Sequence, residues 1–274
     1  MSLGAIGAHT RIAPVDGPDQ VWLNDEKLTD ADPFVSRLRA YLDLFDPAQH
    51  YTIHTASDVP VAAGLASSAS GFAALVLALD DLYGWSLDPT SLSILARLGS
   101  GSACRSIYQG FVEWQAGEQA DGMDSYAVRL DADWPALRIG WIECSSAPKP
   151  IGSRAGMKRT VETSALYAAW PDQVARDLAA IKQAIAQHDF EALGSAAESN
   201  ALAMHATMWA ARPPVSYWLP ETVVTLRAVW QAREQGLPVY ATMDAGPNVK
   251  LLYLADDRER IRAAFPQLHE VNPA

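Results

Sequence analysis

One stretch constrains the fold of this chain more than any other, and it runs from Asp58 to Tyr83. It starts with a polar turn and Pro60, continues through a loop of Gly, Ala and Ser, and passes directly into an apolar helix. Small residues let the backbone approach a ligand closely. The helix N-terminus behind them offers unpaired N–H groups and the positive end of the helix dipole, which favour phosphate. The stretch therefore predicts a phosphate-binding loop, although tight packing of a loop against a sheet would explain the same composition.

The phosphate loop is of neither of the two commonest types. It contains no Walker pattern G-x-x-x-x-G-K-[ST] and no dinucleotide pattern G-x-G-x-x-G. Its sequence PVAAGLASSASG, residues 60–71, resembles the loop of the small-molecule (GHMP) kinase superfamily, which includes galactokinase, homoserine kinase and mevalonate kinase. The form GLASSASGFAAL, residues 64–75, is most similar to one branch of that superfamily, the diphosphomevalonate decarboxylases.

Three further segments resemble the same family and follow in the family's order. They are SGSACRSIYQGFVEW at Ser100–Trp114, GMKRTVETSALY at Gly156–Tyr167 and MDAGPNVKLL at Met243–Leu252. The resemblance covers nearly the whole chain and implies an α+β protein with a two-domain GHMP-kinase-like fold. Residues 1–132 would form the ATP-binding domain, similar to domain 2 of ribosomal protein S5, and residues 133–274 a ferredoxin-like α/β sandwich. A polar, turn-rich composition over residues 117–136 places the domain boundary there.

Local patterns predict several elements without any resemblance. Asp32-Pro33 and Asp88-Pro89 predict helix starts, because aspartate caps a helix and proline is tolerated in its first turn. Amphipathic patterns predict helices over residues 172–187, 190–210 and 219–236. The segment from Pro238 to Leu254 predicts two strands joined by a turn. Residues 99–106 predict a Gly/Ser turn that carries Arg105.

The resemblance implies a reaction and its cofactors. In the family, ATP phosphorylates the tertiary hydroxyl of mevalonate diphosphate, and loss of phosphate and carbon dioxide then gives isopentenyl diphosphate. Such a carbon–carbon lyase needs a carboxylate at the hindered hydroxyl, a cation for the substrate carboxylate, and Mg²⁺ to offset charge on the transferring group.

The resemblance also implies which residues act. Asp244 is the expected catalytic carboxylate, although an aspartate in a turn would by itself be interpreted as structural. Arg105 is expected to hold the substrate carboxylate, because its planar guanidinium can bind it through two hydrogen bonds. Ser100 and Ser102 are expected to bind substrate, and Met204 to line the substrate pocket.

ATP is expected at the phosphate loop. The loop residues expected to contact it are Gly64, Leu65, Ala66, Ser67, Ser68 and Ala69. Mg²⁺ is expected at Ser68, although the sequence does not decide which of the two neighbouring serines contacts the metal. His205 follows Met204 in an amphipathic helix, where a histidine is more often a packed core residue.

The overall charge excludes some functions and complicates another. A net charge of −11 disfavours nucleic-acid binding. An anionic substrate then requires a local concentration of cations, and one segment of eleven residues contains four of them without any acid: Lys149, Arg154, Lys158 and Arg159. This basic segment is either a solvated loop or a patch that steers the substrate.

The sequence also indicates a cellular setting. No run of 18 apolar residues and no secretion signal occurs, and two cysteines, Cys104 and Cys144, cannot form a disulfide framework. We expect a protein of the reducing cytoplasm. The family resemblance implies a homodimer.

One departure from the family bears on activity. The family's Lys-Tyr-Trp-Gly-Lys signature, which contributes to diphosphate and nucleotide binding, does not occur in this sequence. We expect the first strands of the N-terminal domain to be missing and the chain as given to be weakly active or inactive. Two alternatives stay open: a mevalonate or phosphomevalonate kinase that does not decarboxylate, and a non-catalytic relative that binds pathway metabolites.

Overall fold

The computed structural model describes residues 7–58, 67–147 and 149–271. These residues divide into two units, of which the first comprises 7–58 and 67–131 and the second comprises 132–147 and 149–271. Each unit combines helices with a four-stranded sheet, which confirms the expected α+β class.

The sheet of the first unit has the strand order β1-β4-β2-β3. Its strands are β1 Ala8–Val15, β2 Gln20–Leu23, β3 Glu26–Lys27 and β4 His50–Ser57. β1 pairs antiparallel with β4 along its full length, and β2 runs parallel to β4 on the other side. Every second residue of β4 is buried, namely Tyr51, Ile53 and Thr55, so one face of the sheet meets the core.

Three helices cover the first unit's core: α1 Pro33–Leu42, α2 Ser67–Tyr83 and α3 Pro89–Gly99. The predicted starts of α1 and α3 are confirmed, because the Asp32 and Asp88 carboxylates accept hydrogen bonds from main-chain N–H groups in the first turns. α2 contributes the apolar side chains of Phe72, Leu75, Val76 and Leu79 to the core.

The end of α3 lies unusually close to α2. A Cβ atom at Gly99 would lie 2.1 Å from Cδ1 of Phe72, so only glycine allows this approach. The chain then forms a 3-10 helix over Gly101–Ile107 instead of the predicted Gly/Ser turn. Buried contacts stabilise it: the thiol of Cys104 donates to the Gly101 carbonyl, and the hydroxyl of Ser93 donates to the Cys104 carbonyl.

A short hairpin completes the first unit. It pairs β5 Val112–Trp114 with β6 Ala127–Arg129. β6 lies in the polar stretch that predicted only turns. The backbone N–H of Ala127 donates to Ser93 Oγ at 2.9 Å, so a tertiary hydrogen bond anchors a strand too short to show periodicity.

The sheet of the second unit has the order β10-β7-β9-β8, with all neighbours antiparallel. Its strands are β7 Leu137–Ile142, β8 Tyr240–Thr242, β9 Val249–Leu254 and β10 His269–Val271. Its helices are α4 Ser153–Thr163, α5 Trp170–Gln187, α6 Phe190–Trp209, α7 Pro220–Glu234 and α8 Arg258–Ala264. The three long predicted helices and the β8–β9 pair are present, whereas the sequence pattern did not predict β10.

A buried carboxylate joins three of these elements. Glu198 of α6 accepts hydrogen bonds from Arg233 at 2.7 and 3.1 Å and from Trp230 Nε1 at 3.2 Å, both on α7. It also accepts from the backbone N–H of Ala241 in β8 at 2.8 Å. A buried charge is tolerated only when it is paired and hydrogen-bonded, and Glu198 meets both conditions. We call this arrangement the Glu198 clamp.

The contact between Gly99 and Phe72 generates a stability prediction. We expect Gly99→Ala to lower the free energy of unfolding by about 1–3 kcal/mol, because the added methyl group forces the two helices apart. Urea titration followed by circular dichroism measures the change.

The matched control is Gly71→Ala on α2, where an added Cβ meets nothing within 4 Å. Alanine should stabilise this helical position by roughly 0.5–1 kcal/mol. Equal effects at the two glycines would contradict the close approach of α3 to α2.

Candidate active site

The structure describes only part of the predicted phosphate loop. Of the residues expected at ATP, three lie outside the described residues: Gly64, Leu65 and Ala66. Ser67 begins α2, but its side chain is not described. Ser68 stands in the first turn of α2, and its Oγ lies 3.3 Å from Oγ of Ser100. The methyl group of Ala69 is buried in the core, so only its backbone could face a ligand.

The chemistry of these groups fits a nucleotide phosphate. The first turn of α2 contains no acidic residue and includes the Ser68 hydroxyl. Hydroxyls and helix N-terminal N–H groups are donors that phosphate oxygens accept. No group of three His, Cys, Asp or Glu side chains that could hold a metal occurs within residues 7–58, 67–147 and 149–271. Mg²⁺ typically takes few protein ligands beside substrate phosphates, so the Ser68 hydroxyl fits an ion that arrives with a nucleotide.

Arg105 lies on the surface of the first unit, in the last turn of the 3-10 helix. Its guanidinium carbon lies 5.7 Å from the ring centroid of Trp114, and Trp114 Nε1 donates to Ser125 Oγ at 3.0 Å. This cation–π contact restrains an otherwise exposed side chain. Ser102 is half-buried in the same 3-10 helix, directly preceded by Gly101, where a Cβ would lie 2.8 Å from the Trp114 ring.

Asp244 lies in the second unit, just after β8, and 58% of its side chain is exposed. Its Oδ2 accepts a hydrogen bond from Lys250 Nζ at 2.8 Å. Lys250 belongs to β9 opposite Thr242, and only 11% of its side chain is exposed. A buried ammonium group requires a partner. The ion pair therefore restrains the carboxylate of Asp244.

The backbone of Asp244 is held as well. Its carbonyl accepts the N–H of Gly246 at 2.8 Å and lies 3.0 Å from Nε2 of His205. His205 of α6 is buried, in agreement with its interpretation as a packed residue. Burial lowers the pKa of His205 to about 4; the Asp244 contacts raise this pKa and the charge of Lys250 lowers it further.

One residue of the predicted basic segment, Lys149, interacts electrostatically with the Asp244 carboxylate. Lys149 Nζ donates to Ser153 Oγ at 3.3 Å and lies 5.8 Å from the ring centroid of Tyr217. Burial lowers the pKa of Lys149, an effect that the charge of Asp244 opposes and that of Lys250 reinforces.

The other cations of the segment are arranged differently. Lys158 is exposed and pairs with Glu162 of its own helix at 3.8 Å. Arg154 is exposed and Arg159 is half-buried on the same helix. The basic segment therefore combines a half-buried lysine, which interacts electrostatically with Asp244, with an ordinary solvated helix face.

Met204 lies one residue before His205 and is half-buried. It packs against a small cluster of buried residues, Met208, Ala211, Val215 and Tyr217, and Ala245 packs against the same cluster. The structure thus brings Met204 into the region next to Asp244, while its contact with a substrate stays a prediction.

Sequence reasoning missed Lys250 and the role of His205 beside Asp244. A signal for Lys250 was available, because a lysine inside the apolar strand VKLLYL is rarely buried without a partner. No local signal marked the His205 contact, since 39 residues separate it from Asp244.

Among the helices of the described part of the chain, none is both long and apolar enough to cross a membrane.

Comparisons with known proteins match nearly the entire chain. The family model described as diphosphomevalonate decarboxylase-like N-terminal domain matches residues 1–127, and that of the mevalonate 5-diphosphate decarboxylase C-terminal domain matches residues 142–272. The diphosphomevalonate decarboxylase of Bos taurus is 41% identical over 228 residues, which cover 79% of this chain and 56% of the relative. The chain spans about half the length of the first curated relatives that it matches.

Solved structures extend the similarity to the fold. One, described as MDDEF in complex with MVAPP, AMPPCP and magnesium, is 38% identical with a TM-score of 0.89, covering 96% of this chain and 84% of that chain. The mevalonate diphosphate decarboxylase from Staphylococcus aureus is 37% identical with a TM-score of 0.90, covering 97% and 83%. The expected two-domain GHMP-kinase-like fold is thereby confirmed.

The lowered pKa of His205 generates a prediction about pH. The unfolded chain binds a proton at this histidine near pH 6.5, but the folded chain does so only near pH 4. Protonation therefore favours the unfolded state, so stability from this group is present above pH 6.5 and is lost as the pH falls toward 4. We expect a loss of about 3 kcal/mol in the free energy of unfolding over this range.

Urea titrations at several pH values measure this loss. His205→Gln should remove it, whereas His9→Gln, at an exposed position on β1, should leave it in place. An identical pH dependence in wild type and His205→Gln would contradict the prediction.

Proposed function

The chain belongs to the diphosphomevalonate decarboxylase family, and from this membership we propose that it catalyses ATP-dependent decarboxylation of mevalonate 5-diphosphate to isopentenyl diphosphate. The observation that carries the proposal is the similarity, over 96% of the chain, to a solved protein in complex with MVAPP, AMPPCP and magnesium. AMPPCP is an ATP analogue, so that complex pairs MVAPP with a stand-in for the ATP that the proposal requires.

The first unit would bind the nucleotide and hold the substrate's acidic groups. Ser68 and the start of α2 supply donors for ATP phosphates, and Mg²⁺ bound there with the nucleotide would offset charge on the transferring phosphoryl group. Arg105 would hold the substrate carboxylate, with Ser100 and Ser102 as hydroxyl donors. The contact with Trp114 supports this role for Arg105, because a pre-oriented side chain loses less entropy on binding.

Asp244 would act at the tertiary hydroxyl. As the hydroxyl oxygen forms its bond to the γ-phosphorus of ATP, the Asp244 carboxylate accepts the hydroxyl proton and ADP leaves. The bond between the tertiary carbon and the phosphate oxygen then breaks, and phosphate takes that electron pair. The carbon–carbon bond to the carboxylate also breaks; its electron pair forms the new double bond, and carbon dioxide departs.

The local charges support this assignment. Lys250 Nζ donates to the Asp244 carboxylate at 2.8 Å. Lys149 adds a second cation, whose pKa the negative charge of Asp244 raises. Anionic substrates need such local cations on a chain with a net charge of −11.

The proposal extends to the setting of the protein. We place it in the cytoplasm as a homodimer, on the basis of two cysteines that form no disulfide and of the family resemblance. Light scattering of the purified chain measures the oligomeric state.

Replacing Asp244 tests the reaction. We expect wild type to turn over slowly but to release ADP and carbon dioxide in equal amounts, and Asp244→Asn to lower that kcat by roughly a further 10²–10⁴-fold, because the amide cannot accept the proton. Coupled ADP and ¹⁴CO₂ assays measure both products. Asp256→Asn, at another exposed aspartate of the second unit, should retain wild-type turnover.

The stoichiometry separates the alternatives. ADP without carbon dioxide would indicate a kinase, and neither product together with substrate binding by calorimetry would indicate a non-catalytic relative. Near-normal turnover of Asp244→Asn would remove Asp244 from the mechanism.

Replacing Arg105 tests its proposed binding of the substrate carboxylate. Arg105→Lys keeps the charge but loses the two-pronged geometry, so we expect kcat/KM for mevalonate diphosphate to fall about 10- to 100-fold, the loss of one charged hydrogen bond. The KM for ATP should change little. Arg176→Lys, on the exposed face of α5, is the matched control, and equal kinetics of the two variants would refute this role of Arg105.

A further inference from the structure

We propose that His205 is a positioning residue for the reaction: its imidazole donates a hydrogen bond to the main-chain carbonyl of Asp244 and thereby sets where the Asp244 carboxylate stands. The inference rests on the proposed function, in which Asp244 accepts the proton of the tertiary hydroxyl.

The geometry fixes the direction of this hydrogen bond. Nε2 of His205 lies 3.0 Å from the carbonyl oxygen of Asp244. A carbonyl oxygen only accepts, so Nε2 carries the proton and donates. The same oxygen accepts the N–H of Gly246 at 2.8 Å, a contact that spans only two residues. His205 therefore supplies the long-range restraint on this carbonyl.

The carboxylate needs this restraint because of where it lies. Asp244 is outside the regular strands, between the end of β8 at Thr242 and the start of β9 at Val249, and its side chain is mostly exposed. Lys250 holds the carboxylate and His205 holds the backbone of the same residue. Holding both the backbone carbonyl and the carboxylate of Asp244 limits rotation of its side chain. Misplacing a catalytic group by 1 Å can cost about 10²-fold in rate.

The position of His205 is itself determined by packing. Only 1% of the residue is exposed, and its ring centroid lies 5.5 Å from that of Trp218. Trp218 in turn packs edge-on against Trp209, with ring centroids 4.7 Å apart. His205 also follows Glu198 by seven residues, so both side chains lie on nearly the same face of α6, the face that the Glu198 clamp holds against β8.

The surroundings keep the imidazole neutral. The charged groups that act on it are Asp244 and Lys250, of opposite sign, and the neighbouring Trp218 ring carries no charge. Nδ1 of His205 is buried and has no hydrogen-bond partner within the described residues. A second proton would therefore be buried without an acceptor, which is consistent with the lowered pKa.

Two substitutions separate positioning from general packing. The side-chain amide of His205→Gln can donate from nearly the place of Nε2, whereas His205→Phe keeps an aromatic ring but has no donor. We expect His205→Phe to lower kcat about 10- to 100-fold with little change in the KM for ATP. His205→Gln should keep kcat within about threefold of wild type, because the restraint on the carbonyl remains.

Hydrogen exchange of the peptide covering residues 243–250 gives a readout that does not depend on activity. Exchange should be faster in His205→Phe and close to wild type in His205→Gln. Val229→Ala, in the core of the same unit, controls for lost stability: it should lower the Tm and leave kcat and the exchange of this peptide unchanged.

The outcomes are distinguishable from failure of the proposed function. A wild-type chain that forms ADP without carbon dioxide refutes the proposed decarboxylation, and the exchange data still test whether His205 restrains Asp244 whatever the activity of the chain. Equal exchange in the Phe and Gln variants, or equal kcat in an active protein, overturns the inference. Should His205→Phe fail to fold, ¹⁵N NMR of wild type decides: a proton on Nε2 at pH 7 supports the inference, and a proton on Nδ1 overturns it.

Discussion

The second unit depends on one buried carboxylate. Glu198 joins α6, α7 and β8 through Arg233, Trp230 and the backbone of Ala241. Removing one partner of such a buried pair typically costs about 3–5 kcal/mol, because the remaining charge is left uncompensated. The Glu198 clamp also sets the spacing of the candidate site, because His205 follows Glu198 on α6 and Asp244 follows Ala241 after β8.

The candidate site brings cations together on an acidic protein. The chain has a net charge of −11, yet Lys149 and Lys250 are partly withdrawn from solvent and both interact with the charge of Asp244. Charges in partly buried positions are less screened by salt than exposed ones. The local placement of these charges thus matters more than the net charge of the chain. The ion pair with Lys250 also restrains the Asp244 carboxylate, although that side chain is mostly exposed to solvent.

The parts of the fold that local chemistry controls were predictable. Asp32 and Asp88 cap helices because capping needs only a carboxylate and the next few N–H groups. The long amphipathic helices follow from periodicity that extends over many residues. β6 and β10 are three residues each, which is too short for periodicity, and they exist because neighbouring strands supply hydrogen bonds. The 3-10 helix at Gly101–Ile107 likewise depends on distant Ser93.

The sequence by itself determined the family, through four short motifs, and with it the expected identities of Asp244, Arg105 and the serines. It also determined that a helix with serines in its first turn follows a loop of small residues, since these properties belong to neighbouring residues. Only the tertiary structure decided the partners: Ser100 beside Ser68, Trp114 beneath Arg105, and Lys250 with His205 around Asp244. The reason is physical, because these contacts join residues that come together only when helices and strands pack.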